Sequence, residues 1–193
     1  LNSLETWAAG RMSPKILANT AAMQARLDGS PTIQGMFNGG VWVTRQDGIA
    51  IASVPPARIG TNFMDREYII AALKEGKSTI GKPILGRVSK APNFVIAVPI
   101  LDAQSTVIGV LVGVTNLDKP NFLDGITKST YGKTGGYLLL APQYRLIVTA
   151  TDKSRIMTNH PALGINRLAD KFISGYEGTD SGLNPVGVEV MAS

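Results

Sequence analysis

Cysteine is absent from the 193 residues. Disulfides, thiolate metal sites and cysteine nucleophiles are therefore excluded. Histidine occurs once, in Asn159-His160-Pro161, which reads as a turn. No Ser-His-Asp arrangement and no metal-ligand spacing accompanies it, so neither catalysis, a metal nor a cofactor is expected. Gly132-Lys133-Thr134-Gly135 has letters of a phosphate loop without the preceding strand or the spacing, and reads as a turn. Long apolar runs are missing as well. The longest, Phe94 to Leu101, has eight residues and includes a proline; a membrane span needs roughly 20. No stretch of the given residues reads as a signal peptide. The opening LNSLETWAAG already reads as helix, so the chain is expected to begin inside an element, as a piece of a longer protein would.

What is present describes a folded chain: 44% hydrophobic residues and 17% charged ones. The net charge is +5, and its distribution is uneven. Between Arg66 and Lys90 stand six basic residues (Arg66, Lys74, Lys77, Lys82, Arg87, Lys90) and two acidic ones (Glu67, Glu75). This is either a solvated helix face with a basic loop or a positive rim that attracts an anion. Nucleic acid is not expected as a partner, because Tyr68 is the one aromatic among these basic residues and no binding motif is present.

One pattern occurs twice. Gly39 to Ser53, GGVWVTRQDGIAIAS, is echoed by Gly135 to Thr151, GGYLLLAPQYRLIVTAT. Each opens on a glycine pair, runs apolar, breaks at a turn and resumes with β-branched residues, as a hairpin does. Before the first echo, Ser13 and Pro14 open a helix whose stripe is Ile16, Leu17, Thr20, Met23 and Leu27, with Gly29 as its left-handed stop. After it, Asp65 is expected to cap a helix from Arg66 to Glu75, stopped by Gly76. A polar loop follows. NFVIAVPIL and TVIGVLVGVTNL then read as a central antiparallel pair. A helix is expected over Lys119 to Tyr131. The second copy repeats the order: hairpin, the short helix NRLADKFISG, then a strand in SGLNPVGVEVMAS. Gly40 to Val98 spans 59 residues and Gly136 to Met191 spans 56, so the second copy is expected to be incomplete.

A hairpin, helical crossover and second hairpin make the PAS-like topology. The ordered set in FMDREYIIAALKEGKSTIGKPILGRVSKAPNFVIAVPILDAQSTVIGVLVGV, with YGKTGGYLLL and GYEGTDSGLNPVGVEVMAS after it, resembles the double-Cache sensor domains of bacterial transmembrane receptors. It is most similar to those on membrane-bound diguanylate cyclases. The resemblance implies an α+β fold: a long, broken N-terminal helix (residues 1–36), a membrane-distal module (37–117), a linker helix (118–134) and a truncated membrane-proximal module (135–193). It implies a periplasmic, membrane-tethered location on a bacterial inner-membrane protein, a homodimer through the N-terminal helix with Trp7 at the seam, and a cytoplasmic output such as a cyclase or kinase. The sensor itself would not be catalytic.

The same resemblance places the ligand in the distal module. In amino-acid-binding members an R-x-W-Y motif at the helix start holds the ligand carboxylate, and an aspartate ending the last strand holds its ammonium. Here the first is reduced to Arg66-Glu67-Tyr68, and the strand ends Gly113-Val114-Thr115-Asn116 without an aspartate. A buried ammonium would lack a charge partner, so a small organic anion of carboxylate type is expected instead. Arg66 would hold it, Tyr68 would give a hydroxyl, Arg87 and Lys90 would close over a second carboxylate, and Phe94 and Thr115 would form the far wall. Trp42 is expected in the core or at the pocket floor. Against these roles stand an ion pair of Arg66 with Asp65 or Glu67, and plain core packing of Tyr68. A ligand-free dimerisation or protein-interaction module is the alternative reading of the whole domain.

Overall fold

The computed structural model describes residues 1–10, 12–87, 89–130 and 132–193. The chain divides into two compact units, Leu1–Phe122 and Leu123–Ser193.

The first unit opens with four short helices rather than one long one: α1 (Asn2–Ala8), α2 (Pro14–Ala18), α3 (Thr20–Asp28) and α4 (Pro31–Met36). Ser13 caps α2 as expected, its Oγ accepting from the Ile16 N–H at 3.2 Å. The break comes at Asn19, whose backbone is extended (φ −85°, ψ 92°) and whose Oδ1 takes the Ala22 N–H at 3.0 Å. A short polar side chain offers the backbone this alternative partner, so it ends one helix and starts the next. The break rotates the expected stripe: Leu17, Met23 and Leu27 are buried, whereas Ile16 and Thr20 are exposed. Gly29 is not left-handed either; its φ is −75°. Trp7 is held inside the unit, its Nε1 donating to Ser30 Oγ at 2.7 Å and its ring under the Arg26 guanidinium at 4.8 Å.

Strands β1 (Gly40–Arg45) and β2 (Ala50–Val54) form the first hairpin, turning on Gly48 at φ +76°. Helix α5 (Glu67–Glu75) ends at Gly76 in the left-handed region, as expected. Its N-cap is Arg66, and no side chain caps it; Asp65 is engaged by arginines instead. The loop read as polar contains two short strands, β3 (Thr79–Ile80) and β4 (Ile84–Leu85). The central pair is β5 (Pro92–Leu101) and β6 (Val107–Asn116). The sheet order is β2-β1-β6-β5-β3, with β4 also on β5, and every pairing is antiparallel.

Both faces of this sheet are covered, and the pleat decides which side chain goes where. On one face Val41, Val43, Ile96, Val98, Ile100 and Leu111 pack under the helical segment, with Leu4, Met23 and Leu27 among its anchors. On the other, Trp42, Val95, Ala97, Val110, Val112 and Val114 pack under α5 with Phe63 and Ile69. Gly113 belongs to the first face; a Cβ there would lie 2.7 Å from the Phe37 ring.

The second unit begins with one turn of helix, α6 (Asp124–Thr127), in place of the helix expected over Lys119 to Tyr131. Tyr131 itself lies outside the described residues. Strands β7 (Leu138–Ala141) and β8 (Leu146–Ala150) form the second hairpin, and helix α7 (Arg167–Ile173) follows. The last segment makes a hairpin of its own, β9 (Asp180–Leu183) with β10 (Glu189–Ala192), where one strand was expected.

Strand β2 is an edge of the first sheet, and an open edge invites pairing with other chains. Here the Gln24 amide acts as a short substitute strand. Its Oε1 accepts from the Ser53 N–H at 2.9 Å and its Nε2 donates to the Ser53 carbonyl at 3.2 Å. Gln24→Ala is expected to cost about 1–2 kcal/mol in urea unfolding, since two partly buried backbone groups lose partners. A change below a few tenths would show that the edge needs no cover.

Candidate functional site

On the α5 face of the first unit's sheet lies a small cavity of about 20 Å³, room for one water. Trp42 on β1, Val114 on β6 and Asn93 and Val95 on β5 form its floor. Phe63, Arg66 and Tyr68 supply one wall, from the approach to α5 and its first turn. Ile84, Gly86, Arg87 and Ser89 supply the other, and Arg58 closes one end.

Three of the six expected site residues are brought together here: Arg66, Tyr68 and Arg87. The other three are not. Phe94 and Thr115 are directly opposite each other across β5 and β6, so they share a face, and it is the helical one, where Phe94 packs. The pleat sends their neighbours Asn93, Val95 and Val114 to the cavity. Lys90 is exposed and does not line it.

The polar atoms of the cavity are poorly matched. Trp42 Nε1, Arg58 Nη1, Arg66 Nε and Asn93 Oδ1 are all buried without a hydrogen-bond partner. Buried polar groups are nearly always paired, so four orphans around one space call for a physical reason. Three of the four are donors. Arg58 is only 6% exposed. Its Nη2 donates to the Gly39 carbonyl at 2.8 Å, and its guanidinium stacks over Trp42 at 4.7 Å. Neither contact supplies a negative charge, and among the described residues no carboxylate pairs with it. Desolvation accordingly pulls its pKa below the usual arginine value. Arg66 comes within 3.6 Å of the Asp65 carboxylate through Nε, too far for a hydrogen bond.

At the mouth, Arg87 bridges the two walls. One Nη donates to the Asp65 carboxylate and the other to the Asn62 carbonyl at 3.3 Å. Tyr68 sits among Arg58, Arg66, Arg87 and Asp65, and burial raises its pKa to about 12 despite the cations. Its phenol therefore stays neutral at ordinary pH. No acidic side chain lines the cavity among the described residues. A pocket of guanidinium, indole and phenol donors around one amide oxygen suits an oxyanion.

Two of these residues, Arg58 and Asn93, received no place in the pocket from the sequence, whereas Trp42, expected in the core or at the pocket floor, is buried and lines the cavity. Arg58 did leave a signal: it is the one charged residue between Asp47 and Asp65. In the second unit, by contrast, the partly buried Arg145 pairs with Asp170 at 2.5 Å, and the exposed Lys153 with the buried Asp124 at 2.6 Å. His160 lies beside Arg145, and desolvation lowers its pKa.

No family model matches the sequence, and no curated protein does. Solved structures share the fold. The ligand-binding domain of the Pseudomonas fluorescens chemoreceptor CtaA, in complex with L-serine, matches with a TM-score of 0.60 at 19% identity, over 82% of this chain and 65% of that one. The sensor domain of the V. cholerae histidine kinase DctB matches with 0.59 at 17% identity, over 94% and 73%. The ligand-binding domain of the Pseudomonas aeruginosa chemoreceptor PctC, in complex with GABA, matches with 0.64 at 16% identity, over 94% and 77%. The chain thus spans just under two thirds of the CtaA domain. At these identities the likeness establishes the mixed helix and antiparallel-sheet fold of the PAS-like class. No helix among the described residues is long and apolar enough to cross a membrane.

The raised pKa of Tyr68 has a consequence at alkaline pH. The unfolded phenol ionises near pH 10 and the folded one near 12, so the folded state holds its proton longer and stability falls as pH rises between the two values. At pH 11 the loss from this group is about 1.4 kcal/mol. Urea unfolding at pH 8 and pH 11 should show wild type losing that much more than Tyr68→Phe. Equal losses would contradict a neutral, desolvated phenol.

Proposed function

We propose that the chain is a ligand-sensing domain of a bacterial transmembrane receptor, and that its ligand is a small organic anion of carboxylate type bound on the α5 face of the first unit's sheet. The observation that carries this reading is the Arg58 guanidinium, buried with Nη1 unpaired and no carboxylate partner among the described residues. A buried cation without a counter-ion is costly, and such perturbed groups collect at functional sites. The fold is shared with the ligand-binding domain of a chemoreceptor and the sensor domain of a histidine kinase, which supports a sensor rather than an enzyme.

The cavity is too small for a carboxylic acid as it stands. Binding therefore requires the two walls to part at the Arg87–Asp65 bridge and close again over the ligand. That is the conformational difference a sensor needs: a tenfold population shift takes only about 1.4 kcal/mol of differential affinity. In the full receptor this closure would reach a cytoplasmic output domain, such as a diguanylate cyclase, through the membrane, with two chains paired through their N-terminal helices. The small cavity and the internal Arg87–Asp65 pair also support the second reading, a ligand-free dimerisation or interaction module.

A thermal-shift screen of mono- and dicarboxylates and amino acids at constant ionic strength separates the two. At least one carboxylate is expected to raise the melting temperature. Arg58→Met and Arg66→Ala are each expected to weaken its binding on the order of tenfold or more, as loss of a charged hydrogen bond does. Absence of any stabilising acid would favour the ligand-free module.

A further inference from the structure

Among the unpaired buried atoms of the residues that line the cavity, three are donors and one, Asn93 Oδ1, is an acceptor. Asn93 is 4% exposed on β5, its Nδ2 donates to Ser89 Oγ at 2.9 Å, and its Oδ1 has no partner. A carboxylate cannot satisfy it, because both groups only accept. A ligand that matches every orphan must therefore bring an oxyanion for Trp42, Arg58 and Arg66, and a hydrogen-bond donor for Asn93.

The donor could be a hydroxyl or an ammonium, and the charges around the cavity choose between them. Three arginines line it and no acidic side chain does, among the described residues. Asp65, the nearest carboxylate, is committed at the mouth to Arg87. An ammonium placed against Asn93 would be a buried cation among cations, with only an amide dipole to face. A hydroxyl carries no such penalty and completes the same hydrogen bond. Tyr68, held neutral, adds a hydroxyl that can donate to the ligand as well.

We propose that the site selects hydroxycarboxylates, with the carboxylate on Arg58, Arg66 and the Trp42 N–H, and the ligand hydroxyl donating to Asn93 Oδ1. The assignment rests on the anion-sensing role proposed above. It makes Asn93 a specificity-determining residue and sets this chain apart from neighbours whose complexes hold amino acids.

Two near-isosteric series test it by titration calorimetry on the whole chain: lactate, propionate and alanine, and malate, succinate and aspartate. In at least one series the hydroxy acid is expected to bind on the order of ten- to hundredfold more tightly than both analogues, because the analogue without a donor leaves Asn93 unpaired. Asn93→Leu should level the hydroxy acid with its deoxy analogue. Asn93→Asp should shift preference toward alanine or aspartate by supplying the missing carboxylate, and it keeps the test open if the leucine variant does not fold. Propionate or succinate binding as well as its hydroxy analogue would overturn the role of Asn93 while leaving an anion site. Preference of the wild type for the amino acids would overturn the charge argument. No binding in either series would overturn the anion-sensing reading itself, and this inference with it.

Discussion

The alternation of side chains along β5 and β6 is the constraint on which the first unit depends. Strand β6 is hydrogen-bonded on both sides, to β1 and β5, and both faces of the sheet are covered. The buried residues of these strands are therefore committed to one of two interiors, and a slip of one position would exchange them. Val110, Val112 and Val114 go to the α5 face; Leu111, Gly113 and Thr115 go to the helical face. Gly113 has no side chain because Phe37 lies where its Cβ would be. The same rule brings Trp42, Asn93, Val95 and Val114 to a common floor and keeps Phe94 from it.

Electrostatics then separate the cavity from the rest of the interior. In the second unit the partly buried Arg145 is matched at close range by Asp170, and the Lys153 ammonium by Asp124, Thr127 and Thr149. Around the cavity the matching stops. Arg58 has a carbonyl and an indole ring, Arg66 only a distant carboxylate, and Trp42 nothing for its N–H. The one close carboxylate, Asp65, is at the mouth, on Arg87. Among the described residues, four of the seven buried side-chain atoms without a partner belong to residues that line this cavity, and an incoming oxyanion would relieve the cost at the three donors among them. The Arg87–Asp65 bridge joins the two elements that must separate for that to happen.

Much of this architecture can be read in the sequence where local chemistry decides it. Asp47-Gly48 between β-prone runs marks the first hairpin, Gly76 stops α5, and the valine-rich runs mark the central pair. Ser13 and Pro14 mark a helix start. Reading failed where tertiary contacts compete with local signals. Asn19 breaks a stripe that has helical spacing throughout. Residues 79–80 and 84–85 form strands by pairing with the edge that β5 offers. Asp65 has the residue type of a cap but meets arginines. Of the residues expected at the site, Arg66, Tyr68 and Arg87 line the cavity together, because the helix start and its facing loop are local features. Phe94 and Thr115 were misplaced by one residue each, which a two-residue period turns into the opposite face. Arg58, Trp42 and Asn93 come together from two strands and the turn after β2, and no local spacing relates them.

The most direct test of the central claim, that a buried and unpaired guanidinium awaits an oxyanion, is a crystal structure of this chain grown with a mixture of small carboxylates and hydroxycarboxylates. The expected result is an acid on the α5 face with a carboxylate oxygen within hydrogen-bond distance of Arg58 Nη1 and Trp42 Nε1, and the Arg87–Asp65 bridge rearranged around it. A closed cavity holding at most one water on Arg58, with the acids absent or bound elsewhere, would contradict it.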